Sequence, residues 1–287
     1  MKRALFSILL IFFLFGFSAC CQPETPKYVR IATYNVQDMF DDIDDPHKSD
    51  GIAIDPARLK ALAQVITAID ADVLALQEVE NIEILTYFND EYLDGMYTEA
   101  VLIEGNDPRG IDVAVLSKIR ILEVESFRDT RIDDPENDRR IRFSRDLLAV
   151  TFPASNGKKW TLLTTHLKSG GDTDSVDKRT LQVGEIIKII KERGYISRTG
   201  RGILVVAGDL NLEPSSENMA RLTGVPLSDP ARDLPYRKTH RSRKVLDYIL
   251  LSPDADSRYV MGSVGVYLDS PAWEASDHFA VYLDLRL

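Results

Sequence analysis

Four apolar runs in this chain, VRIATY, DVLALQ, WTLLTT and ILVVAG, end in side chains that an interior tolerates only when they are paired. They lead into Asn35 (TYNVQD), Glu78 (LQEVEN), His166 (TTHLKS) and Asp209 with Asn211 (VVAGDLN). A fifth cluster, Asp277-His278 (ASDHF), opens the run FAVYLDL. Short apolar runs of this kind read as buried strands. One polar residue at a strand end is ordinary; five sets imply strands that deliver their ends to a common cleft. Carboxylates, amides and imidazoles together are the side chains that hold a hard divalent cation and cleave a phosphate ester.

Strand-like runs cover Val29–Tyr34, Asp72–Gln77, Tyr97–Glu104, Ile111–Leu116, Leu147–Phe152, Trp160–Thr165, Ile203–Ala207, Val245–Leu251 and Phe279–Leu285. The spacing of Leu59, Leu62, Val65, Ile66 and Ile69 predicts a helix over Pro56–Ile69, with Asp55 as N-cap. A second helix, Lys178–Arg193, carries Leu181, Ile186, Ile187 and Ile190 and stops at Gly194. Between Asp112 and Thr165 strands follow one another without a long helix. That favours mixed or antiparallel sheets covered by helices over a doubly wound parallel sheet. The two halves show no sequence repeat. Asp41–Asp55 reads as a solvated acidic loop lacking the D-x-D-x-D-G spacing of a calcium loop, and Asp129–Arg140 as a surface loop or active-site flap.

Lys2-Arg3 precede a 16-residue apolar run, Ala4–Ala19, which ends at Phe17-Ser18-Ala19-Cys20. A basic start, an apolar core shorter than the ~20 residues of a spanning helix, and small residues before a cut site predict an export signal over 1–19. Cys20 resembles the acylated cysteine of a bacterial lipoprotein; a plain signal peptide is the alternative. Residues 20–27 form a tether and 28–287 one domain with a substantial core. Cys20 and Cys21 are the only cysteines, so the body is expected to lack a disulfide. The net charge of −10 argues against bulk attraction to nucleic acid, although a turnover enzyme needs only a local basic surface and a metal.

Glu78 is the natural oxygen ligand for Mg²⁺, with Asn35 as a further amide ligand or neighbour, and nothing has zinc spacing. Asp209 and Asn211, two apart after Gly208, can reach one pocket, the carboxylate to align water and the amide to hold phosphate; an Asx-turn is the bland alternative. His278 beside Asp277 suits proton transfer, and Asp247 offers a carboxylate to orient it. His166 needs an orienter too, and Asp112, a charge within the apolar alternation of IDVAVL, is the candidate. His47 and His240 lie in polar stretches and read as solvated.

Taken in order, YNV, QEV, R-x-x-D-V-A-V, THL, GDLN, LDYIL and SDH resemble the endonuclease/exonuclease/phosphatase superfamily from Tyr34 to His278. The resemblance implies a four-layered α/β sandwich, two packed mixed or antiparallel sheets flanked by helices, with a divalent-metal phosphoesterase site. It places Asn35, Glu78 and Asp277 on the metal side, with Mg²⁺ as the expected ion and Mn²⁺ or Ca²⁺ as substitutes. Asp209 and Asn211 fall around the attacked phosphate, His278 on its phosphate side with Asp247, and His166 toward the leaving group with Asp112. Arg145, in FSRDLLAV, matches a phosphate-contacting arginine of the deoxyribonuclease I-like members. Gln37 departs from the pattern, because apurinic endonucleases carry an acid there.

Two basic stretches, Arg237–Lys244 and Arg139–Arg145, lie next to these residues and favour a polyanion. The expectation is a secreted or surface nuclease, acting as a monomer and touching a membrane only through a lipid on Cys20. A phosphatase or phosphodiesterase for lipid, inositol or sugar phosphates is the alternative. A phosphate-binding lipoprotein without catalysis is a third reading, against which the paired proton-transfer groups speak.

Overall fold

The computed structural model describes residues 28–49, 51–197 and 202–287. The expected leader, the tether, Cys20 and Cys21 lie outside the described residues. In chain order the strands are β1 (Val29–Met39), β2 (Val73–Val79), β3 (Glu99–Leu102), β4 (Asp112–Ser117), β5 (Glu123–Ser126), β6 (Ile132–Asp134), β7 (Arg139–Ile141), β8 (Leu147–Pro153), β9 (Lys159–His166), β10 (Ile203–Asp209), β11 (Asp247–Leu251), β12 (Gly265–Val266) and β13 (Val281–Leu285). The helices are α1 (Pro56–Ile69), α2 (Ile82–Tyr92), α3 (Thr173–Glu192), α4 (Glu217–Thr223) and the single turns α5 (Pro253–Asp256) and α6 (Ala272–Ala275).

Among the described residues there are two large sheets, six-stranded β12-β13-β1-β2-β4-β3 and five-stranded β11-β10-β9-β8-β5, with β6 and β7 as a separate hairpin. Each large sheet is built around one parallel pair, β1 with β2 and β9 with β10. The crossovers contain α1 and α3. An antiparallel strand flanks each pair on both sides: β13 and β4 in the first sheet, β8 and β11 in the second. The halves therefore echo each other in topology, although no sequence repeat announces it.

Period-2 alternation sorts the apolar residues into three packed layers. Val29 and Ile31 of β1, Val73 and Ala75 of β2, Leu162 of β9, and Val205 and Ala207 of β10 meet between the sheets. Tyr34, Leu74 and Leu76 pack instead against Leu59, Leu62 and Ile66 of α1 and Phe88 of α2. On the far side Leu163, Leu204 and Val206 pack against Val183, Ile186 and Ile190 of α3. Helix, sheet, sheet, helix is the four-layered sandwich expected. Strands covered on both faces explain the near-continuous apolar runs.

Helix α1 has its expected bounds; the Asp55 side chain accepts from the Ala57 N–H, and Asp70 closes it in a left-handed conformation. Helix α3 begins at Thr173 rather than Lys178, capped by Asp172, because its polar first turn hides the apolar period. Helices α2 and α4 were not anticipated. The former starts at the Asn81 cap, immediately after the Glu78 cluster, and buries Ile84, Leu85 and Phe88. Asp129–Arg140 contains the β6–β7 turn, tied by Arg139 Nε to Asp134 Oδ2 at 2.7 Å. The described part of Asp41–Asp55 holds no helix or strand. No described helix is long and apolar enough to cross a membrane.

Candidate active site

The inward-facing series of several strands turn from apolar to polar at one end of the sandwich. Along β1 the series is Val29, Ile31, Thr33, Asn35; along β9, Trp160, Leu162, Thr164, His166; along β10, Ile203, Val205, Ala207, Asp209. The parallel strands arrive there with their last residues, and the antiparallel neighbours begin there. Asp209 is thus in register with His166 on one side and with Asp247, the first residue of β11, on the other. Asp112, the first residue of β4, pairs with Val79 at the end of β2.

Glu78 reaches the cleft through irregular backbone. The β1–β2 register slips between Asn35 and Met39, and the β2–β4 register between Gln77 and Val79. Gln37, Asp38 and Glu78 take φ of 55°, 48° and 66°, a region costly for residues with a Cβ. Arg58 of α1 offsets that cost: its Nη2 donates to the carbonyls of Val36 and Asp38, each at 3.1 Å, and to that of Gln37. The Asp38 N–H then donates to Glu78 Oε2 at 3.0 Å, and the Gln37 N–H to Asn35 Oδ1 at 2.9 Å. Asn35 Nδ2 in turn donates to Glu78 Oε1 and Asp209 Oδ2, both at 3.1 Å, and so links the two sheets.

Asp209 Oδ2 is the hub. His166 Nε2 lies 3.3 Å from it and His278 Nε2 3.7 Å. Burial, and then the neighbouring Asp247 charge, push the Asp209 carboxyl up to about 7. The two imidazoles are driven apart. Burial, with Arg145 and His278 nearby, holds His166 well below the usual histidine range, so it is neutral. Burial also opposes charge on His278, but Asp247, bonded to its Nδ1 at 2.8 Å, and Asp209 outweigh it and raise the group to about 10. Burial, and then Asp38, raise Glu78. One neutral and one charged imidazole therefore share a single carboxylate oxygen.

Asp112 departs from its expected role. Its Oδ1 accepts from the Gly105 N–H at 2.7 Å, while its Oδ2 and His166 Nδ1 each lack a hydrogen-bond partner. No hydrogen bond joins the two residues, and burial pushes the Asp112 carboxyl up to about 7. Arg145 is buried, with its Nε 2.9 Å from Asp107 Oδ2 and its Nη1 lacking a hydrogen-bond partner. The Asn211 N–H donates to Asp209 Oδ1 at 2.9 Å, the Asx-turn considered from sequence, and its Nδ2 donates to the Leu167 carbonyl at 3.2 Å. The turn and the cleft position coexist.

Asp277 faces His240, a residue that the sequence reading left in solvent. His240 Nε2 lies 3.4 Å from Asp277 Oδ2, and its ring meets that of His278 edge to face at 4.6 Å. Gln37 has a positive use where an acid was looked for: its Oε1 accepts from the Asp277 N–H at 3.0 Å, tying β1 to the last loop. His240, Arg58 and Asp107 escaped the sequence reading because each acts across a long gap in the chain and none sits at the end of an apolar run. His47 is exposed, as expected.

The donor set fits a divalent cation. Asp209 is buried and Glu78 half-buried, both are raised by desolvation and then by a neighbouring aspartate, and a cation would relieve that cost where their oxygens converge on Asn35. Glu78 would hold the ion with Asn35 adjoining, whereas Asp277, expected on the same side, has its Oδ2 turned toward His240 at 3.4 Å. As oriented, Asn35 presents its NH₂ to the acids and its oxygen to Gln37, so its amide would have to turn to become a ligand.

A protein from Beutenbergia cavernae described as an endonuclease/exonuclease/phosphatase shares the fold at TM-score 0.64 and 19% identity, over 91% of this chain and 72% of that one. The human Nocturnin catalytic domain with bound sulfate anion aligns at TM-score 0.63 and 18% identity, over 90% and 93% of the two chains. A Bacteroides vulgatus endonuclease/exonuclease/phosphatase aligns at TM-score 0.63 and 18% identity, over 91% and 100%. No curated protein matches by sequence. The family model described as "Endonuclease/Exonuclease/phosphatase family" matches residues 32–278, which brackets every cleft residue named above. The chain belongs to that family of metal-dependent phosphoester hydrolases.

Proposed function

We propose that the protein is a Mg²⁺-dependent phosphodiesterase, an exported nuclease that cleaves nucleic acid. The observation that carries this reading is the pair of unlike imidazoles on Asp209 Oδ2, His166 at 3.3 Å and His278 at 3.7 Å. A non-catalytic binding protein has no use for such a pair. Mn²⁺ or Ca²⁺ would be tolerated as substitutes, and export follows from the leader, with or without acylation at Cys20.

A bound cation on Glu78 would polarise the phosphoryl oxygens and offset charge in the transition state. The chain's own residues do the rest. Charged His278, held by Asp247, binds a phosphate oxygen and lowers its charge. Asp209, poised near neutrality, accepts the proton of the attacking water as the new P–O bond forms. His166 delivers a proton to the leaving oxygen as the old P–O bond breaks. It is neutral at rest, and the negative charge of an entering phosphodiester lifts it toward the protonated form. Asn211 steers the phosphate, and Arg145 adds positive charge behind it.

The nuclease preference rests on the loop before β11. Lys238, Arg241 and Arg243 are exposed and make no ion pair among the described residues, and the Arg241 N–H donates to the Asp277 carbonyl at 2.9 Å. The other basic stretch contributes less than expected. Arg139 is paired with Asp134 and Asp174, and Arg140 with Asp133, so they balance local acids rather than wait for a polyanion. That loss favours the second reading, a phosphatase or phosphodiesterase for small or lipid esters. Plasmid DNA, RNA, sphingomyelin and inositol phosphates, each offered with Mg²⁺ or with chelator, decide between them. Release of inorganic phosphate from inositol phosphates with intact DNA and RNA would sink the nuclease reading.

A further inference from the structure

We infer that His240, Asp277 and His278 form a second metal site, selective for a borderline divalent transition ion such as Zn²⁺ or Co²⁺, whose occupation takes His278 out of catalysis. Each of the three offers a ligand atom, all within 4.8 Å of one another. Tetrahedral zinc with bonds of about 2.0–2.2 Å sets its ligand atoms roughly 3.3–3.6 Å apart. His240 Nε2 and Asp277 Oδ2 are 3.4 Å apart.

The outer atoms of both imidazoles match as well. A metal-bound histidine is held by a partner on its other ring nitrogen. His278 Nδ1 is bonded to Asp247 Oδ2 at 2.8 Å, the carboxylate–histidine arrangement of many metal sites. His240 Nδ1 accepts from the Ser242 N–H at 3.0 Å and lies 2.6 Å from Ser242 Oγ, so an ion on Nε2 requires the ring proton to move to Nδ1, where Ser242 Oγ can accept it. His278 Nε2 is thereby left for an ion, and His240 Nε2 becomes so once its proton shifts to Nδ1. The frame is preassembled: His240 and His278 form a backbone bridge, the Arg241 N–H donates to the Asp277 carbonyl at 2.9 Å, and the Phe279 N–H to the Thr239 carbonyl at 2.7 Å.

Charge and ligand type give the selectivity. His278 lies 2.8 Å from Asp247 Oδ2 and 3.7 Å from Asp209 Oδ2, and Asp277 Oδ2 lies 3.4 Å from His240, so three carboxylates are at hand to offset the charge of a dication. Two imidazoles suit zinc or cobalt and are poor ligands for Mg²⁺, which prefers the oxygens around Glu78. An ion held on Nε2 occupies the atom that His278 offers to phosphate. The inhibitory consequence rests on the phosphodiesterase reading; the site itself does not.

The test titrates the purified protein with Co²⁺ and follows visible absorption, with Zn²⁺ and Mg²⁺ as competitors. One equivalent should give a band that Zn²⁺ abolishes and excess Mg²⁺ does not. His240→Ala should weaken Co²⁺ binding at least ~10-fold, the lower end of what even an outer partner of a metal ligand contributes. His240→Gln, which keeps a hydrogen bond toward Asp277, should lose the ion equally while melting like wild type. Glu78→Gln should keep the band, and Zn²⁺ should slow Mg²⁺-supported turnover of the wild type more than that of either His240 variant. A band that survives both His240 substitutions, a band lost in Glu78→Gln, or no band at all overturns the site. A band in a protein that cleaves no ester would leave the site standing and remove the phosphodiesterase reading.

Discussion

Asp209 and Asp247 are register partners on β10 and β11, and His278 stands between them, 2.8 Å from Asp247 Oδ2 and 3.7 Å from Asp209 Oδ2. Two buried carboxylates side by side repel, and one imidazolium between them removes most of that cost. Burial, and then Asp247, hold Asp209 near 7 against the pull of His278, while Asp247 and Asp209 outweigh burial and hold His278 near 10.

The pH profile should follow. Asp209 works as a base when deprotonated, so activity rises as pH climbs through about 7. His278 works when protonated, so activity falls as pH passes about 10. His278 also contributes stability that is fully present below its ordinary value and is lost as pH rises through the folded one. Asp247→Asn should move the alkaline limb of kcat/KM down by more than one pH unit and shrink the alkaline loss of stability. Both limbs unmoved in Asp247→Asn would remove His278 as the charged group.

Glu78→Gln keeps the hydrogen bond to Asn35 but removes the charge. Turnover should fall ~10²-fold or more, with the Mg²⁺ concentration for half-activity raised and the melting temperature little changed. Full activity in excess chelator would discard the metal assignment.

His166→Ala should cost ~10²–10⁴-fold in kcat, the range for a general acid. Asp112→Asn tests the missing pairing. If Asp112 does not orient His166, this variant should retain far more activity than His166→Ala. Equal losses would mean that the two residues engage during turnover although they are apart in this structure.

The parts of the site legible in the sequence share one property: each lies at the end of an apolar run. Asn35, Glu78, His166 and Asp209 announced themselves because a buried strand tolerates such groups only where it opens. Asp247 and His278 were found as a pair because each opens an apolar run. Arg58 was not legible. It sits in the first turn of an amphipathic helix, just before the first apolar residue Leu59, and its carbonyl partners carry no side-chain signature. The left-handed backbone at Gln37, Asp38 and Glu78 was equally hidden, since none is glycine or asparagine. His240 was masked by the basic residues around it, and Asp112, paired with His166 because a charge within an apolar alternation needs a partner, has its hydrogen bond with the Gly105 N–H instead.

Arg58→Ala should leave three carbonyls short of a donor, costing ~1–3 kcal/mol of stability if none finds water. A purely structural role would stop there. Because the clamped turn presents the Asp38 N–H to Glu78, the apparent Mg²⁺ affinity should also fall, by roughly 10-fold on the scale of outer-partner changes. Arg58→Lys keeps charge but lacks the planar fork, so it should recover stability better than Mg²⁺ affinity. Unchanged metal dependence in both variants would reduce Arg58 to a packing residue.

Substrate choice turns on the loop before β11. Lys244 is 3.2 Å from Glu213 and Arg237 is 3.0 Å from Asp229, which leaves Lys238, Arg241 and Arg243 as the cations available to a phosphate backbone. Neutralising these three should raise KM for polymeric DNA or RNA steeply and flatten its salt dependence, since each lost phosphate contact removes about one counterion from the slope. Turnover of bis(p-nitrophenyl) phosphate should barely change, because so small an ester fills the cleft without reaching the loop. Both substrates, each at two salt concentrations, separate the possibilities. An equal loss on both would mean that the loop serves the Asp277–His240 contact rather than the polymer. A triple variant that binds and cuts polymer like wild type would show that this loop is not the basic track for nucleic acid, whereas a wild type that hydrolyses the small ester and cuts no polymer would make the small-ester reading the better one.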